Sequence, residues 1–467
     1  MGIIPFGVHE ASKKQHKKKS PIFFIKANVA IFATINKAFM ALNVLVLGSG
    51  GREHALAWKI SQSDSLANLY CLPGNPGTAA IATNIKASAG DFEAVAAAVK
   101  ANAIDMVVVG PEDPLVNGIA DFLKERFPKL MVVGPCRKGA MLEGSKEFAK
   151  DFMSRHSIPT AAYRAFTGET LPQAKAFLKT LQPPYVLKAD GLAAGKGVVI
   201  LEDYDAACKE LEEMFSGKFG AASSKVVIEQ FLSGIEVSVF VLTDGRDYLI
   251  LPEAKDYKRI GDGDTGLNTG GMGAVSPVPF ADAEFMKKVE ERIVKPTIAG
   301  LAADGIDYKG FIFLGLMNCG GDPYVIEYNV RMGDPETESV MTRIGSDLLC
   351  HLAAAAKEEL GKERITIKND AAVTVVVVSG GYPGHYPKGY PISGLDDAAL
   401  LGVNLFHMGT SAAGDQVVTS GGRVLAVTAN GADMNAAARK AYEGVAKVAF
   451  QDCYHRSDIT KDLQKYI

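Results

Sequence analysis

The sequence is short of cysteine, of positive charge and of long apolar runs, and each shortage excludes a class of protein. Its six cysteines among 467 residues are scattered without a CxxC pair, so we expect neither a zinc site nor a disulfide framework, but thiols in a reducing compartment. A net charge of −3 argues against a nucleic-acid partner. Apolar residues make up 48% of the chain and charged residues 22%, which excludes a mainly disordered protein.

The N-terminal segment differs in charge from the rest of the chain. Residues 1–39 carry +6, from seven lysines and one glutamate, whereas the remaining residues carry −9. Lysines and asparagines interrupt the apolar stretch 21–39, so it is too broken for a membrane span, and we expect no membrane partner. A basic leader permits an organelle-targeting interpretation, but arginine is absent and serine sparse. We therefore favour a basic N-terminal extension over residues 1–40. We predict that a chain beginning at Met40 folds and is active. We also expect the protein to be cytoplasmic and monomeric.

Length and hydrophobic pattern predict three domains after this extension. Over 41–143, short apolar strands alternate with helices, which is typical of a parallel α/β domain. A mixed pattern predicts an α+β domain with antiparallel strands over 144–367, including a subdomain at about 160–232, and an α+β C-terminal domain over 368–467. The predicted strands are 43–47, 106–109, 131–133, 185–189, 198–202, 226–231, 237–242, 311–317, 323–328, 371–379 and 424–428. The predicted helices are 54–60, 92–101, 118–126, 146–156, 205–216, 282–302 and 434–448.

Glycine is abundant, with 48 residues, and two glycine clusters suit phosphate groups. The first, Gly48–Glu53, follows a strand and opens a helix, where backbone N–H groups and Arg52 could meet an anion. Glu53 stands where the dinucleotide fingerprint needs its last glycine, so a phosphorylated ligand is favoured over NAD. The alternative is a tight turn without a ligand.

The second cluster, Lys188–Gly197, contains Gly191, Gly195, Lys196 and Gly197 between two predicted strands. Its spacing does not fit a Walker A loop. We predict a glycine-rich flap that closes over nucleotide phosphates with its backbone N–H groups and lysines, the alternative being a structural loop.

Three further segments carry polar groups suited to binding. Glu229–Leu232 ends a strand, so its backbone could pair with a purine, and Glu236 could accept from ribose hydroxyls, although an ordinary strand end is the simpler interpretation. Asp256–Gly273 is predicted to be a long functional loop with charged groups for substrate, the alternative being a surface loop. Period-2 alternation places Glu327, Asn329 and Arg331 on one strand face, where two hard oxygen ligands suit Mg²⁺ and the guanidinium suits a phosphoryl group, the alternative being a solvated face.

Together these motifs resemble the ATP-grasp superfamily, and more closely the glycinamide ribonucleotide synthetase (phosphoribosylamine–glycine ligase) family. The resemblance extends over nearly all of the chain from Met40. The segments that carry it are Leu45–Ala55, Pro73–Asn75, Val109–Glu112, Leu142–Lys146, Lys188–Gly197, Gly266–Gly273, Val325–Glu336, Gly380–Gly384 and Thr419–Leu425.

The resemblance implies a fold and a reaction. The fold would be an ATP-grasp fold with an N-terminal parallel-sheet domain, a glycine-rich flap subdomain and a C-terminal α+β domain. The reaction would join glycine to 5-phosphoribosylamine with ATP, through glycyl phosphate, in purine (IMP) biosynthesis.

The resemblance also implies roles for individual residues. Lys146, Lys188 and Gly191–Gly197 would contact ATP, Glu229, Gln230, Phe231 and Leu232 would bind adenine, and Glu236 would bind ribose. Glu327 and Asn329 would hold Mg²⁺ or Mn²⁺. Arg331, Lys196 and Asp256 would be the catalytic residues. Gly50, Gly51, Arg52, Glu53, Lys258, Asn268 and Thr269 would face the other substrates.

Five positions, in three places along the chain, depart from the family pattern. Ala254–Tyr257 reads Ala-Lys-Asp-Tyr where the family usually has Ser-Gln-Asp-His, Leu267 replaces a common proline, and Met332 a common phenylalanine. The rival hypotheses are another ATP-grasp ligase, acting on biotin or an aminoimidazole ribonucleotide, a dinucleotide-dependent oxidoreductase, and a nucleotide sensor. The N- and C-terminal motifs weaken the hypothesis of another ATP-grasp ligase. Glu53, in the place of a fingerprint glycine, weakens the hypothesis of an oxidoreductase. A nucleotide sensor should lack the full set of charged groups.

Overall fold

The structure, a computed structural model, describes residues 1–2, 41–192 and 197–467. Nearly all of the predicted basic extension, and the flap residues Gly195 and Lys196, lie outside the described residues. Leu42–Ile467 form one unit. Within the described ranges, no helix is both long and apolar enough to cross a membrane.

The N-terminal region forms a five-stranded sheet in the order β3-β2-β1-β4-β5, and every pair is parallel. Strand β1 is central because its apolar side chains are covered on both faces. The predicted parallel sheet is confirmed. The strands are β1 (Leu42–Gly48), β2 (Leu66–Pro73), β3 (Thr83–Asn84), β4 (Met106–Val109) and β5 (Met131–Val133). The helices are α1 (Gly51–Ile60), α2 (Phe92–Ala101), α3 (Glu112–Val116), α4 (Ile119–Arg126) and α5 (Arg137–Gly144).

The next region forms a four-stranded antiparallel sheet in the order β6-β9-β7-β8, called here the flap sheet. Its β7–β8 connection is the glycine-rich segment, so the prediction that this segment joins two strands is confirmed. Two helices cover one face and bury an apolar cluster. The elements are α6 (Lys146–Arg155), β6 (Tyr163–Thr167), α7 (Leu171–Leu178), β7 (Tyr185–Ala189), β8 (Val198–Leu201), α8 (Tyr204–Phe215) and β9 (Lys225–Gln230).

A second antiparallel sheet, the central sheet, has the order β11-β10-β16-β17. Its buried side chains share one core cluster with β1 and β4 of the N-terminal sheet. The strands are β10 (Ile235–Thr243), β11 (Tyr248–Ile250), β12 (Lys255–Asp256), β13 (Arg259–Gly261), β14 (Thr265–Asn268), β15 (Gly273–Ser276), β16 (Gly310–Cys319) and β17 (Asp322–Asn329). The helices are α9 (Ala283–Val289), α10 (Lys295–Ala303), α11 (Glu336–Arg343) and α12 (Leu348–Ala356).

One prediction in this region was wrong. The segment Asp256–Gly273 is not a long loop, because β13 and β14 pair within it as a hairpin. Positive φ angles at Gly263, Asp264 and Gly266 make its turn, which polar composition alone did not reveal. The helix predicted over 282–302 is confirmed, since residues 283–303 are helical throughout, with a π-helical turn at Glu290–Val294.

The C-terminal sheet has the order β12-β15-β18-β22-β19, so it takes two strands from the preceding region. Helix α14 packs on this sheet with its alanine face. The elements are β18 (Ala371–Val378), α13 (Leu395–Leu400), β19 (Asn404–His407), β20 (Thr410–Ala413), β21 (Gln416–Thr419), β22 (Arg423–Gly431) and α14 (Met434–Val445). Short 3₁₀ turns lie at Thr78–Ala80, Gly168–Thr170, Gly220–Ser224, Leu360–Lys362 and Lys461–Tyr466.

Candidate active site

Two predicted ATP lysines lie between the flap sheet and the central sheet. Lys146 is the first residue of α6, and its Nζ donates to the carbonyl oxygen of Gly191 at 2.9 Å. Lys188, on β7, reaches across to donate to the carbonyl of Ile326 at 3.2 Å. Burial lowers the pKa of Lys146, while Glu327 raises it and Lys188 lowers it further. Two ammonium groups close enough to perturb each other form a positive environment suited to polyphosphate.

The Glu229 side chain, predicted to lie at the adenine, is buried between two lysines. Its carboxylate oxygens lie 3.0 Å from Lys188 Nζ and 2.8 Å from Lys150 Nζ. Burial alone would raise the pKa of Glu229, but the two lysines lower it below its usual value. Burial lowers the pKa of Lys150 to about 8, with Glu229 opposing the shift. The carboxylate therefore fixes Lys188, since a buried charge needs a partner.

The predicted adenine segment continues beyond β9. Glu229 and Gln230 lie within the strand ladder, paired with Val186 and Tyr185 of β7. Phe231 and Leu232 follow the last paired residue and are half-buried where the chain passes from the flap sheet to β10. The backbone of Glu229 and Gln230 is therefore paired within the sheet, and the predicted backbone contact with a purine would have to use the residues after Gln230.

The base of the flap is tied to the start of helix α6. The Ser145 hydroxyl caps the helix by accepting from the Phe148 amide at 3.1 Å, and it donates to the Asp190 carboxylate at 3.1 Å. Asp190 also accepts from the amide of Glu147 at 3.2 Å. Gly191 follows directly, with a φ angle of 134° that favours glycine. The position of Lys146 is thus linked to the conformation of the flap base.

The predicted metal ligands lie next to each other along β17. A bulge between Gly315 and Leu316 sets the register, so Glu327 faces Gly315 and Asn329 faces Phe313. Burial alone would raise the pKa of Glu327, but Lys258, Lys188, Lys146 and Arg331 lower it. The residues that the structure describes contain no cluster of three histidine, cysteine or carboxylate groups that could hold a metal. One carboxylate and one amide oxygen therefore fit a Mg²⁺ that takes its other ligands from phosphates and water.

Arg331 extends from the end of β17 into a group of acidic residues. Its guanidinium lies 2.8 Å from Glu143 Oε1 and 3.3 Å from Glu112 Oε2, and it donates to Asn329 Oδ1 at 3.2 Å. Burial raises the pKa of Glu143 although Arg331 lowers it. These contacts hold the guanidinium beside the metal ligands. Sequence reasoning quoted the motifs of Glu112 and Glu143 without assigning them a role.

The first glycine cluster forms the turn from β1 into α1. Gly48 has a φ angle of 119°, and a Cβ there would lie 2.5 Å from Glu53 Cγ, so only glycine fits. The Gly50 amide donates to Glu53 Oε2 at 2.7 Å, and Gly51 begins the helix. Glu53 is therefore occupied in shaping the turn. Arg52 pairs with its other oxygen at 2.6 Å and donates to the Met332 carbonyl at 3.3 Å.

The segment that leads into the β13–β14 hairpin contacts the start of β10 in the central sheet. Lys258 pairs at 2.5 Å with Glu236, the residue predicted to bind ribose. Burial raises the pKa of Asp256, with Lys258 lowering it and Glu236 and Glu327 raising it. The Thr269 hydroxyl donates to the Lys258 carbonyl at 2.9 Å. Asn268 lies exposed on β14.

The C-terminal sheet adds one cation that sequence reasoning did not assign to the site. Arg423, at the start of β22, lies 2.9 Å from Asp334 Oδ1 and donates to the Gly270 carbonyl at 2.6 Å. The Gly270 amide donates to the Tyr382 hydroxyl at 3.0 Å. The sequence feature that could have indicated Arg423 is its position after a glycine pair in the Thr419–Leu425 motif. Against the effect of burial, the charge of Asp334 raises the pKa of both Arg423 and Arg52.

The site lies between two sheets. Lysines face it, a carboxylate and an amide lie on one strand, and a guanidinium lies beside them. This arrangement is typical of an ATP-dependent ligase of the ATP-grasp class. Three domain profiles of one family match the chain. They are described as Phosphoribosylglycinamide synthetase N domain, residues 42–143, ATP-grasp (A) domain, residues 144–337, and C domain, residues 372–462. The chain belongs to the phosphoribosylglycinamide synthetase family.

Curated relatives and solved structures agree with this assignment. The phosphoribosylamine–glycine ligase of Mesorhizobium japonicum is 48% identical over 418 residues, covering 90% of this chain and 97% of that protein. The corresponding ligase of Pseudomonas aeruginosa is 47% identical over 422 residues, covering 90% and 97%.

The crystal structure of the Thermotoga maritima phosphoribosylamine–glycine ligase superposes with a TM-score of 0.79 at 35% identity, covering 89% of this chain and all of that one. A Campylobacter jejuni biotin carboxylase–nucleotide complex shares the fold alone, with a TM-score of 0.66 at 16% identity, covering 91% and 94%. The predicted ATP-grasp fold is confirmed.

Proposed function

We propose that this chain catalyses the ATP-dependent ligation of glycine to 5-phosphoribosylamine, giving glycinamide ribonucleotide, ADP and phosphate in purine (IMP) biosynthesis. The supporting observation is that Lys146, Lys188, Glu327, Asn329 and Arg331 converge on one site in a chain of this family. The class of substrate follows from the charges: a polyphosphate meets the lysines, and a carboxylate meets the guanidinium.

The reaction has two steps. An oxygen of the glycine carboxylate attacks the γ-phosphorus of ATP, which releases ADP and forms glycyl phosphate. The amine of phosphoribosylamine then attacks the glycyl carbonyl carbon, loses a proton and expels phosphate, which carries away the attacking carboxylate oxygen. Lys146 and Lys188 neutralise the phosphates, and Arg331 stabilises the charge on the transferring group. Holding three substrates together supplies the proximity that both steps need.

The metal and nucleotide contacts follow from the same geometry. Glu327 and Asn329 would hold Mg²⁺ or Mn²⁺, which when bound neutralises phosphate charge and orients the γ-phosphoryl group. Phe231 and Leu232 would contact the adenine, next to Glu229 and Gln230. Glu236 would bind the ribose while paired with Lys258.

The remaining residues would bind the other two substrates. Asp256 and Lys258 would take the ammonium and carboxylate groups of glycine, and Asn268 and Thr269 lie on the same hairpin. Gly50, Gly51, Arg52 and Glu53 would face the phosphate of phosphoribosylamine. The described flap residues Gly191 and Gly197, with Gly195 and Lys196 outside the described residues, would cover ATP. The monomeric state and the cytoplasmic location remain predictions, although six free cysteines fit a reducing compartment.

One steady-state assay tests the proposal. The protein with ATP, Mg²⁺, glycine and freshly prepared phosphoribosylamine should release phosphate only when glycine and phosphoribosylamine are both present. Phosphate release that does not require the two together would contradict the reaction. Glu327→Ala should lose turnover by about 100-fold or more, because a metal ligand is removed, and full turnover in that variant would refute the metal assignment.

A further inference from the structure

The segment that departs from the family pattern runs along the edge of the proposed site. Lys255 and Asp256 form β12, and the backbone of Tyr257 continues the pairing by donating to the Gly273 carbonyl at 3.1 Å. Successive side chains of a strand point to opposite faces. Lys255 and Tyr257 therefore share one face, and Asp256 and Lys258 share the other.

The face with Lys255 and Tyr257 is bound by the C-terminal segment. Asp462 accepts from the Tyr257 hydroxyl at 2.6 Å and pairs with Lys255 Nζ at 3.2 Å. The Lys255 ammonium lies 3.6 Å from the centre of the Tyr257 ring, which makes a cation–π contact. Lys255 is 8% exposed and Tyr257 1%, so Asp462 satisfies two buried polar groups at once.

The hairpin is held by the same C-terminal segment at a second place. Arg456, buried at 1% exposure, pairs with Asp264 of the hairpin turn at 2.7 Å and with Asp458 at 2.7 Å. The Ser457 amide donates to Asp262 at 2.8 Å. The Asp262 carboxylate is therefore engaged in holding the hairpin.

The opposite face carries the groups directed at the site. Lys258 pairs with Glu236, and Asp256 feels the charges of Lys258, Glu236 and Glu327. A shift of the strand that frees Lys255 or Tyr257 would displace Asp256 and Lys258 with it, because the four residues are consecutive.

We propose that Asp462 is a positioning residue: by binding Lys255 and Tyr257 it fixes the strand that presents Asp256 and Lys258 to glycine and phosphoribosylamine. The role rests on the proposed function. Lys255 and Tyr257, two of the residues that depart from the family pattern, then belong to one unit with Asp462, and they act on substrate through the strand.

The test compares Asp462→Ala with wild type in the same steady-state assay. The variant should lose about tenfold in kcat/KM for glycine and for phosphoribosylamine, because a displaced binding group costs proximity. The KM for ATP should change much less, because Lys146 and Lys188 lie on other elements and only Glu236, the proposed ribose contact, pairs with Lys258. Asp462→Glu should restore most of the lost activity. Lys461→Ala, at the neighbouring residue of the same 3₁₀ segment, is the matched control and should match wild type.

A double-variant cycle separates positioning from general stability. In the Lys255→Met/Tyr257→Phe background, which removes both polar groups that bind Asp462, Asp462→Ala should cause no further kinetic loss. Independent multiplicative losses, wild-type kinetics in Asp462→Ala, or an equal loss toward ATP would each overturn the proposal. A wild-type protein that fails to couple glycine with phosphoribosylamine would instead contradict the proposed function, so the two failures are distinguishable.

Discussion

At the scale of single residues, the ATP side of the site depends on one buried carboxylate shared by two lysines. Glu229 is 3% exposed, and Lys150 and Lys188 both pair with it. The ion pair with Glu229 thereby holds the Lys188 ammonium group between the two sheets and keeps it from turning out into solvent. Removing Glu229 would leave two buried ammonium groups without a counter-charge, whereas removing one lysine leaves the carboxylate paired with the other.

We predict that Lys150→Met lowers the free energy of unfolding by about 1–3 kcal/mol, because the Glu229 carboxylate loses one of its two buried donors and keeps Lys188. The KM for ATP should rise as well, since Lys188 is then held by a less constrained carboxylate. Urea denaturation and ATP titration measure the two effects. Lys175→Met, which breaks an exposed pair with Glu212, is the control and should change little. Equal stability of the two variants would contradict the account of Glu229.

Sequence reasoning found the residues whose motifs mark them and missed those defined by a distant partner. Lys188, Glu327 and Arg331 stand in short patterns that predict phosphate or metal chemistry. In the sequence, Lys150 looks like any other lysine on a helix, and only the fold shows that Glu229 lies beside it. Arg423 is likewise recognised only through its contact with Asp334. A single sequence does not encode such distances in any local pattern, so these residues could not be predicted.

At the scale of elements, the N-terminus of α6 and the base of the flap form one connected structure. Ser145 caps the helix that begins with Lys146, and the same hydroxyl donates to Asp190 before the flap. The cap therefore stabilises the helix and also positions Lys146, the proposed ATP contact.

Ser145→Ala should cost about 1 kcal/mol of stability through the lost cap, and the KM for ATP should rise several-fold because Lys146 and Asp190 both lose a constraint. Asp203→Ala removes the cap of α8, where Asp203 accepts from the Ala206 amide at 2.8 Å. This control should lose similar stability with an unchanged KM for ATP. Chemical denaturation and initial-rate kinetics compare them, and a KM change of equal size in both variants would refute the link to Lys146.

Elements with a strong local signal were predicted closely, and those that depend on long-range pairing were not. Strand β4 falls on the predicted Met106–Val109 because four buried apolar residues leave no other interpretation. The β13–β14 hairpin is polar and exposed, so its sequence has no strand pattern. Likewise, β12 and β15 join the C-terminal sheet across about 100 residues of sequence, which periodicity cannot indicate.

At the scale of the whole molecule, a pair of buried histidines joins the N-terminal and C-terminal sheets. His54 of α1 accepts from the His407 backbone amide of β19 at 2.9 Å, and the rings lie 5.7 Å apart. Burial lowers the pKa of His54 to about 3, helped by His407, and burial lowers that of His407 to about 4. Both rings are therefore neutral in the folded protein at pH 7.

This junction should make stability depend on pH. The unfolded histidines take up protons as the pH falls below about 6.5, while the folded ones resist until about 4 and 3. Their contribution is thus fully present above pH 6.5 and is lost as the pH falls. Buried Glu336, whose pKa burial raises to about 7 with Asp256 adding to the shift, acts in the opposite direction over part of this range. A variant must therefore isolate the histidine contribution.

His54→Asn keeps an acceptor near the position of Nδ1 and removes the titration. Between pH 7 and pH 4.5, it should lose about 2 kcal/mol less stability than wild type. Urea unfolding at the two pH values gives the difference directly. An identical pH dependence in variant and wild type would show that the junction does not titrate as described.

The central claim is that glycine's carboxylate attacks ATP to form an acyl phosphate. The most direct measurement uses glycine labelled with oxygen-18 in its carboxylate, together with ATP, Mg²⁺ and phosphoribosylamine, and determines the isotopic mass of the released phosphate. The account predicts that each phosphate carries one labelled oxygen, because the attacking oxygen leaves with phosphate in the second step. Unlabelled phosphate formed at the same rate as glycinamide ribonucleotide would contradict it.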